Sequence, residues 1–404
     1  MNEKPTLDSA TDSAAPPAGV MGPAPATDSP MPRSSRRRSR EATVTAGQWT
    51  LMWWRFRKHK VALVSGAIVL LIYLVALFAE FLAPALPDAH ARDYLYAPPQ
   101  KLGLRVETEA GSRWQLHVNG YTVFMNREAL RREFTLNPDH IIPVRFFAKG
   151  APYKLWGIFE MERRLIGPVD PSEPFYVFGA DRLGRDILSR VIYGTRVSMS
   201  IGLVGVFLSL VLGVLLGGIS GYFGGPVDEI IQRIIEFLRS IPTIPLWMGL
   251  AAAIPRTWSP LQVYFAITVI LSLVGWTGLA RVVRGRFFSL KTEDFIISAR
   301  LNGSSQLRII IKHMVPSFMS HIIASVTLSI PAMIISETSL SFLGIGLRPP
   351  VVSWGVLLQE AQNIRSVSAA PWLLMVPAFC VIIAVLTMNF LGDGLRDAAD
   401  PYNT

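Results

Sequence analysis

Five stretches of this chain, residues 61–84, 198–222, 261–280, 315–335 and 369–391, stay apolar for the full thickness of a bilayer. Glu80 and His321 are the only acidic or basic side chains inside them. A hydrocarbon core about 30 Å thick takes roughly 20 residues of helix, so each run predicts a membrane span. A sixth, over residues 230–254, is interrupted by Arg233, Glu236 and Arg239 in its first half and by Pro242 and Pro245 in its middle. Each charge costs about 2.5–3.5 kcal/mol at mid-membrane, which places all three near the cytoplasmic end or against a protein partner. The expected fold is an all-α polytopic membrane protein of six transmembrane helices, with an extracytoplasmic insert that contains a small β-hairpin subdomain. Composition agrees, since 50% hydrophobic and 17% charged residues point away from a soluble enzyme.

The net charge of +10 raises nucleic acid as a partner. The basic residues instead cluster at membrane edges, with no aromatic-interleaved binding module, and the positive-inside bias accounts for them. Cys380 lies alone in the last apolar run, where it packs as an apolar side chain and forms no intrachain disulfide. Nothing resembles a Cys and His metal cluster.

Residues 1–49 are rich in Pro, Ala, Ser, Thr and Asp and turn basic at Arg33, Arg36, Arg37, Arg38 and Arg40, which reads as a disordered cytoplasmic tail. Residues 50–60 pair Trp53 and Trp54 with Arg55, Arg57, Lys58 and Lys60, a basic interfacial anchor before the first transmembrane helix at 61–84. Ala89-His90-Ala91 has the look of a signal cleavage site, but the apolar region exceeds the roughly 7–15 residues of a signal, so an uncleaved anchor is expected. Residues 85–197 form a polar extracytoplasmic insert. Within it residues 113–118 alternate and 121–126 alternate less cleanly, and Asn119-Gly120 between them signals a hairpin turn. The insert ends in an amphipathic helix with Ile187, Leu188, Val191 and Ile192 on one face. Arg182, Arg185, Asp186 and Arg190 fall mostly on others, interfacial or mutually paired. Residues 198–392 hold the other five spans, and 393–404 form a cytoplasmic tail.

Residues 294–316, DFIISARLNGSSQLRIIIKHMVP, are too charged to sit in lipid and separate two apolar runs. Residues 295–301 have helical spacing, Gly303 interrupts, Ser304 to Gln306 start a second run, and Pro316 ends it. Two short helices joined at a glycine make a compact knob. The spacing of Ala299, Gly303 and Pro316 resembles the coupling-loop signature of bacterial ABC importer permeases: Glu-Ala-Ala, three residues, Gly, then a terminal Pro. Residues 179–198, 341–355 and 391–401 are similar to segments of dipeptide and oligopeptide permeases. The resemblance is close over 178–401 and loose over 61–83. Ile297 and Ser298 stand where the family has its glutamate and first alanine. Glu293 or Asp294, on nearly the same helical face, supplies the missing carboxylate, or the loop docks by shape and apolar contact alone.

The resemblance implies one half of a permease heterodimer, working with a homologous permease subunit, two ABC ATPase domains and a periplasmic solute-binding protein. It sits in the bacterial cytoplasmic (inner) membrane with both termini cytoplasmic. The cytoplasmic coupling loop, residues 281–316, is implied to meet the ATPase through Glu293, Asp294, Ile297, Ser298, Ala299, Arg300, Gly303 and Pro316. Import follows alternating access. Peptides lead as substrate, although oligosaccharide and nickel importers share the resemblance. The insert either contacts the binding protein or caps the membrane portion. No G-x-x-x-x-G-K-[ST] loop is present, so ATP and Mg are expected on the partner ATPase and no cofactor on this chain. The chain is thus a transporter subunit rather than an enzyme. An ion-gradient-driven secondary transporter is the alternative class, opposed by the few embedded charges and the absence of an evident inverted repeat. Pathway or gate candidates are Pro331, Glu337 and Trp354. Pro331 can bend the fifth span. Glu337 is buried or pore-facing, paired with a neighbouring helix, or exposed at the outer surface. Trp354 closes a stretch with Pro349-Pro350 that dips toward the pore mouth.

Overall fold

A computed structural model of the protein describes residues 48–108, 111–126, 131–363, 368 and 370–399. The expected disordered tail up to residue 47, and residues 400–404 of the expected carboxyl tail, lie outside the described residues. Residues 1–51 and 52–404 are separate units, and helix α1 (Gln48–Phe56) begins in the first. The second unit contains α2 (Lys60–Leu77), a β-sheet, α3 (Ile187–Phe223), α4 (Gly225–Ser240) and α5 (Thr243–Ala252). It continues with α6 (Pro260–Leu290), α7 (Asp294–Leu301), α8 (Met319–Phe342), α9 (Trp354–Ala361) and α10 (Trp372–Ala399).

Helices α2, α3, α6, α8 and α10 are each long and apolar enough to cross a membrane. The sixth expected span is a broken pair, α4 and α5, bent by 89°. The break falls at Ile241 and Pro242, where proline removes the N–H that a continuing helix needs. Other expected boundaries move as well. The insert's amphipathic helix and the second span are one 37-residue helix, α3, about 55 Å long at 1.5 Å per residue, so a division at residue 197 would cut through it. Residues 281–290, expected in the loop, prolong α6, and residues 393–399, expected in the tail, prolong α10.

The first span ends at Leu77 instead of running to residue 84, and a short turn, Ala79–Leu82, follows. Arg196 of α3 accounts for the stop. It pairs with the Glu80 carboxylate and donates to the carbonyls of Ala76 (2.8 Å) and Leu77 (3.0 Å), satisfying the end of the helix.

Between α2 and α3 the chain makes a four-stranded antiparallel meander of β1 (Leu102–Thr108), β2 (Gly111–Asn126), β3 (Arg131–Leu155) and β4 (Phe159–Pro168). Asn119-Gly120 is not its hairpin turn. Both residues lie inside β2, at a slip in its register with β3. The glycine is needed for space, because the His140 ring of β3 occupies the position a Cβ would take. The sheet is pinned to the membrane helices by Arg164 of β4. This arginine, 1% exposed, donates to the carbonyls of Glu80 (3.3 Å), Ala83 (2.8 Å) and Ala85 (3.4 Å) past the end of α2, and to that of Ala151 (3.3 Å). Trp156 adds a bond from Nε1 to the Leu77 carbonyl at 2.7 Å.

The tightest helix pair is α3 with α6. Gly213, Gly217 and Gly221 recur every fourth residue on α3 and face α6. A Cβ at Gly213 would lie 2.9 Å from Leu279 Cβ, one at Gly221 2.8 Å from the Arg284 oxygen, and one at Gly217 2.4 Å from the Ala280 carbonyl oxygen, well short of contact distance. Helices in lipid associate by such close contact, because lipid supplies no hydrophobic force to push them together. Gly217→Ala should therefore force the pair apart and cost about 1–3 kcal/mol, as overpacking does. Gly278→Ala, on α6 where a Cβ would touch nothing, should leave stability unchanged or raise it by up to about 1 kcal/mol. Thermal unfolding of the detergent-purified chain, followed by tryptophan fluorescence, compares the two.

Candidate functional site

The stretch singled out by its polar sequence forms a bent helical knob at one end of the spans. Helix α7 ends at Asn302, Gly303 turns the chain with φ +73°, and helical turns resume over Gln306–Arg308. A positive φ favours glycine at this bend. The second arm differs from expectation at its end. Wide π-type turns over Ile309–Met314 lead into Val315–Ser317, so Pro316 occupies the first turn of the next helical segment rather than terminating the run.

The knob has two faces. Ile296, Ile309 and Met314 are fully buried against Tyr222 of α3, Val283 and Phe287 of α6, and Phe318 and Ile322 at the start of α8. Ala299 packs at the edge of the same cluster. Phe295, Ile297, Leu301, Leu307 and Ile311 point outward, with Leu301 82% exposed. Glu293, Asp294, Ser298, Arg300, Gly303 and Pro316 are exposed around them. Glu293 is the N-cap residue of α7 and Asp294 lies in its first turn, and no cap hydrogen bond occupies the Glu293 side chain. An apolar patch of this size ringed by charges has the character of a protein interface. Beside the knob, Asp228 of α4 receives two bonds from Arg284 of α6, at 2.5 Å each, and one from Ser220 of α3, tying three helices together.

At the opposite end of the spans, Glu337 is 0% exposed, which excludes outer-surface exposure among the roles weighed for it. Ser341 of α8 and Ser353, the N-cap residue of α9, each donate to Oε1 at 2.8 Å, and Ser198 of α3 donates to Oε2 at 3.4 Å. The Trp354 N–H donates to the Ser198 hydroxyl at 3.1 Å, and its Nε1 donates to the Val191 carbonyl at 3.3 Å. Glu337 and Trp354 thus belong to one cluster that fixes α9 against α3 and α8. Pro331 lies buried within α8 and makes no hydrogen bond in this cluster.

Of the charges around the start of α3, expected to be interfacial or mutually paired, Arg185 and Arg190 are paired, in a buried quartet with Asp181 and an acid far away in the sequence, Glu360. Arg185 Nε meets Asp181 at 2.6 Å and its Nη2 meets Glu360 of α9 at 3.0 Å. Arg190, 1% exposed, reaches Asp181 at 2.9 Å and Glu360 at 2.5 Å. Burial pushes the Glu360 carboxyl up, but the Arg190 bond and the charges of both arginines outweigh it and hold it below the ordinary carboxylate range. Five charges of mixed sign within ten residues, and a lone acid in the apolar run of α9, were the available signals. Asp186, the N-cap of α3, has no such cation. Burial pushes its carboxyl up to about 6, only partly offset by bonds from the Ser189 hydroxyl and N–H.

Comparison with known proteins decides the family. Residues 213–402 match the model of the binding-protein-dependent transport system inner membrane component, and residues 47–99 that of the N-terminal transmembrane domain of oligopeptide transport permease C. An oligopeptide transport system permease protein of Escherichia coli is 39% identical over 298 residues, covering 74% of this chain and 94% of its own. The chain belongs to this permease family. An oligopeptide permease of Haemophilus influenzae is 39% identical over 59% of this chain and 74% of its own length. A dipeptide permease of Lactococcus lactis is 31% identical over 86% and 89%.

Removing the Glu337 carboxylate leaves its serine hydroxyls unpartnered in a dry site. Glu337→Ala should cost about 2–4 kcal/mol and Glu337→Gln, which keeps an acceptor oxygen, clearly less, read as the thermal midpoint of the purified chain. The quartet predicts an acid limit. A carboxyl held low when folded contributes stability above its unfolded value, near 4.5, and loses it as pH falls through the folded value. Asp186 acts with the opposite sign, favouring the fold below its ordinary 3.8 and losing that contribution as pH rises through about 6. The midpoint difference between the native chain and Glu360→Gln should therefore shrink below about pH 4.5, whereas that for Asp186→Asn should change between about 4 and 6.

Proposed function

We propose that this permease carries peptides inward across the inner membrane by alternating access, powered by separate ATPase subunits and supplied by a periplasmic solute-binding protein. The observation that carries the reading is the two-faced knob. Its buried face is seated on the ends of α3, α6 and α8, and its outer face is apolar and unpartnered among the described residues. Such a body transmits a push from an attached subunit to three spans at once. Arg281, Arg284, Arg286, Lys291, Arg300, Arg308 and Lys312 gather at this end, which the positive-inside bias assigns to the cytoplasm together with both termini. The quartet, the Glu337 cluster and the sheet then face outward. ATP and Mg belong to the ATPase, and the second half of the pathway belongs to a homologous permease subunit. Peptide is favoured over oligosaccharide or nickel because the relatives described above are oligopeptide and dipeptide permeases. In the coupling contact, Glu293 or Asp294 takes the role of the carboxylate absent at Ile297.

Mild crosslinking followed by purification should recover an ATPase with the native chain. Recovery should fall by about tenfold or more for Leu301→Glu, which buries a charge at the apolar contact, and for Gly303→Pro, whose ring cannot adopt the bend. Membrane insertion should be unchanged in both. ATP-dependent uptake of a labelled dipeptide by the reconstituted complex tests the substrate, and uptake that persists without ATP would point to a gradient-driven carrier. Glu293→Gln combined with Asp294→Asn should uncouple ATP hydrolysis from uptake; full coupling in that variant would leave docking to shape alone.

A further inference from the structure

The hairpin that joins β3 to β4 ends in an apex that water does not favour. Its residues, Leu155-Trp156-Gly157-Ile158-Phe159, are apolar throughout, where turns ordinarily carry polar side chains. Ile158 is 73% exposed, Phe159 55% and Trp156 45%. The backbone there is held in an unfavourable form. Trp156 has φ +54° and Gly157 φ +74°, and the Ile158 N–H donates to the Leu155 carbonyl at 3.1 Å. Two successive positive values make the tight hairpin turn that ordinarily takes Asn-Gly, so a tryptophan in its first place puts a bulky side chain in the left-handed region. Phe147 of β3 has the same φ of +54°, and its ring lies 6.0 Å from that of Phe81. Strain that turns large aromatic side chains outward points to a function at the surface they present.

The apex sits where the first span ends. Trp156 Nε1 donates at 2.7 Å to the carbonyl of Leu77, the last residue of α2, and its ring lies 5.8 Å from that of Phe78, the next residue. The 18 residues of α2 extend about 27 Å at 1.5 Å each, close to the roughly 30 Å of a hydrocarbon core. The apex is therefore level with the boundary between acyl chains and headgroups. Its apolar surface continues along α2 through Leu70, Leu71, Leu74 and Leu77, each at least 42% exposed, on the least buried of the five spans. Charge sets the limit of the patch on the other side. One residue back from the apex on each strand, Lys154 and Glu160 pair at 3.2 Å.

We propose that this hairpin binds the membrane surface, with Trp156, Ile158 and Phe159 inserted between phospholipid headgroups beside the first span and Phe78, Phe81 and Phe147 forming the aromatic patch behind them. Aromatic side chains favour this level of a bilayer, where an apolar body meets acyl chains and a polar edge meets the interface. The contact is with acyl chains and glycerol backbones rather than with one headgroup, because the charges next to the apex answer each other. The sheet is thereby fixed at one height over the bilayer. Naming the leaflet as the outer one rests on the importer reading; insertion itself does not.

The test uses the full chain with its one cysteine replaced, Cys380→Ala, reconstituted into phosphatidylcholine vesicles. A bimane fluorophore is attached through Ile158→Cys or, for comparison, through Asp139→Cys, an exposed position elsewhere on β3. A group held about 5–10 Å into the interface should be quenched at least about threefold more by lipid brominated high on its acyl chains than by lipid brominated near their ends. The label at position 158 should behave so and be shielded from aqueous iodide, which should quench the label at position 139. Adding Phe159→Asp, which places a charge at the apex, should abolish the lipid quenching and restore quenching by iodide. Unaltered thermal midpoints in detergent establish that the variants fold. Equal iodide quenching at both positions would place the apex in water, and quenching by neither agent would place it against protein; each overturns the proposal, as does lipid quenching unchanged by Phe159→Asp. If the apex inserts but ATP drives no dipeptide uptake, the importer reading fails while this one stands, and uptake with the apex in water reverses the two.

Discussion

The contact between α3 and α6 carries the rest of the structure. Gly213, Gly217 and Gly221 let the two backbones approach until a single added methyl would meet a carbonyl oxygen. In lipid this close packing replaces the hydrophobic drive that assembles soluble proteins. Everything functional hangs from the two ends of this pair. At one end α3 carries Ser198 and Arg190, which hold the Glu337 cluster and the ion quartet. At the other, Ser220 of α3 and Arg284 of α6 share Asp228, and Tyr222 and Phe287 seat the knob. The α3–α6 pair thus joins the seat of the knob to the polar clusters at the far end through one close-packed contact.

The far end is built from polar groups in a setting that penalises them. A buried ion pair contributes little net stability, yet removing one partner strands the other at a cost of about 3–5 kcal/mol. The quartet therefore acts mainly on geometry. Asp181, Arg185, Arg190 and Glu360 fit together only when α9 lies against the start of α3. Glu337 repeats the principle with hydroxyls, drawing serines from α3, α8 and the cap of α9 onto one carboxylate. The sheet follows the same logic, held by Arg164 and Trp156 on carbonyls at and beyond the end of α2, where Arg196 and Glu80 stop the helix.

Local chemistry made much of this legible beforehand. Long apolar runs gave the spans, and Gly303 between two helical runs marked the bend of the knob. Boundaries were harder to read, because a helix ends where its carbonyls find other partners. Leu77 ends a helix on account of Arg196, more than a hundred residues away. Asn119-Gly120 misled for a related reason, since its glycine answers the bulk of His140 on the neighbouring strand rather than a turn of its own.

The sequence by itself determined the membrane class, the spans, the knob and the family likeness, because hydrophobic length, helical spacing and backbone permissiveness are properties of neighbouring residues. Only the tertiary structure decided that Glu337 is buried among serines and that Arg185 and Arg190 share Glu360. Those facts depend on which side chains from distant segments meet in a low-dielectric interior, and a charge written in sequence looks the same whether water or another charge will answer it.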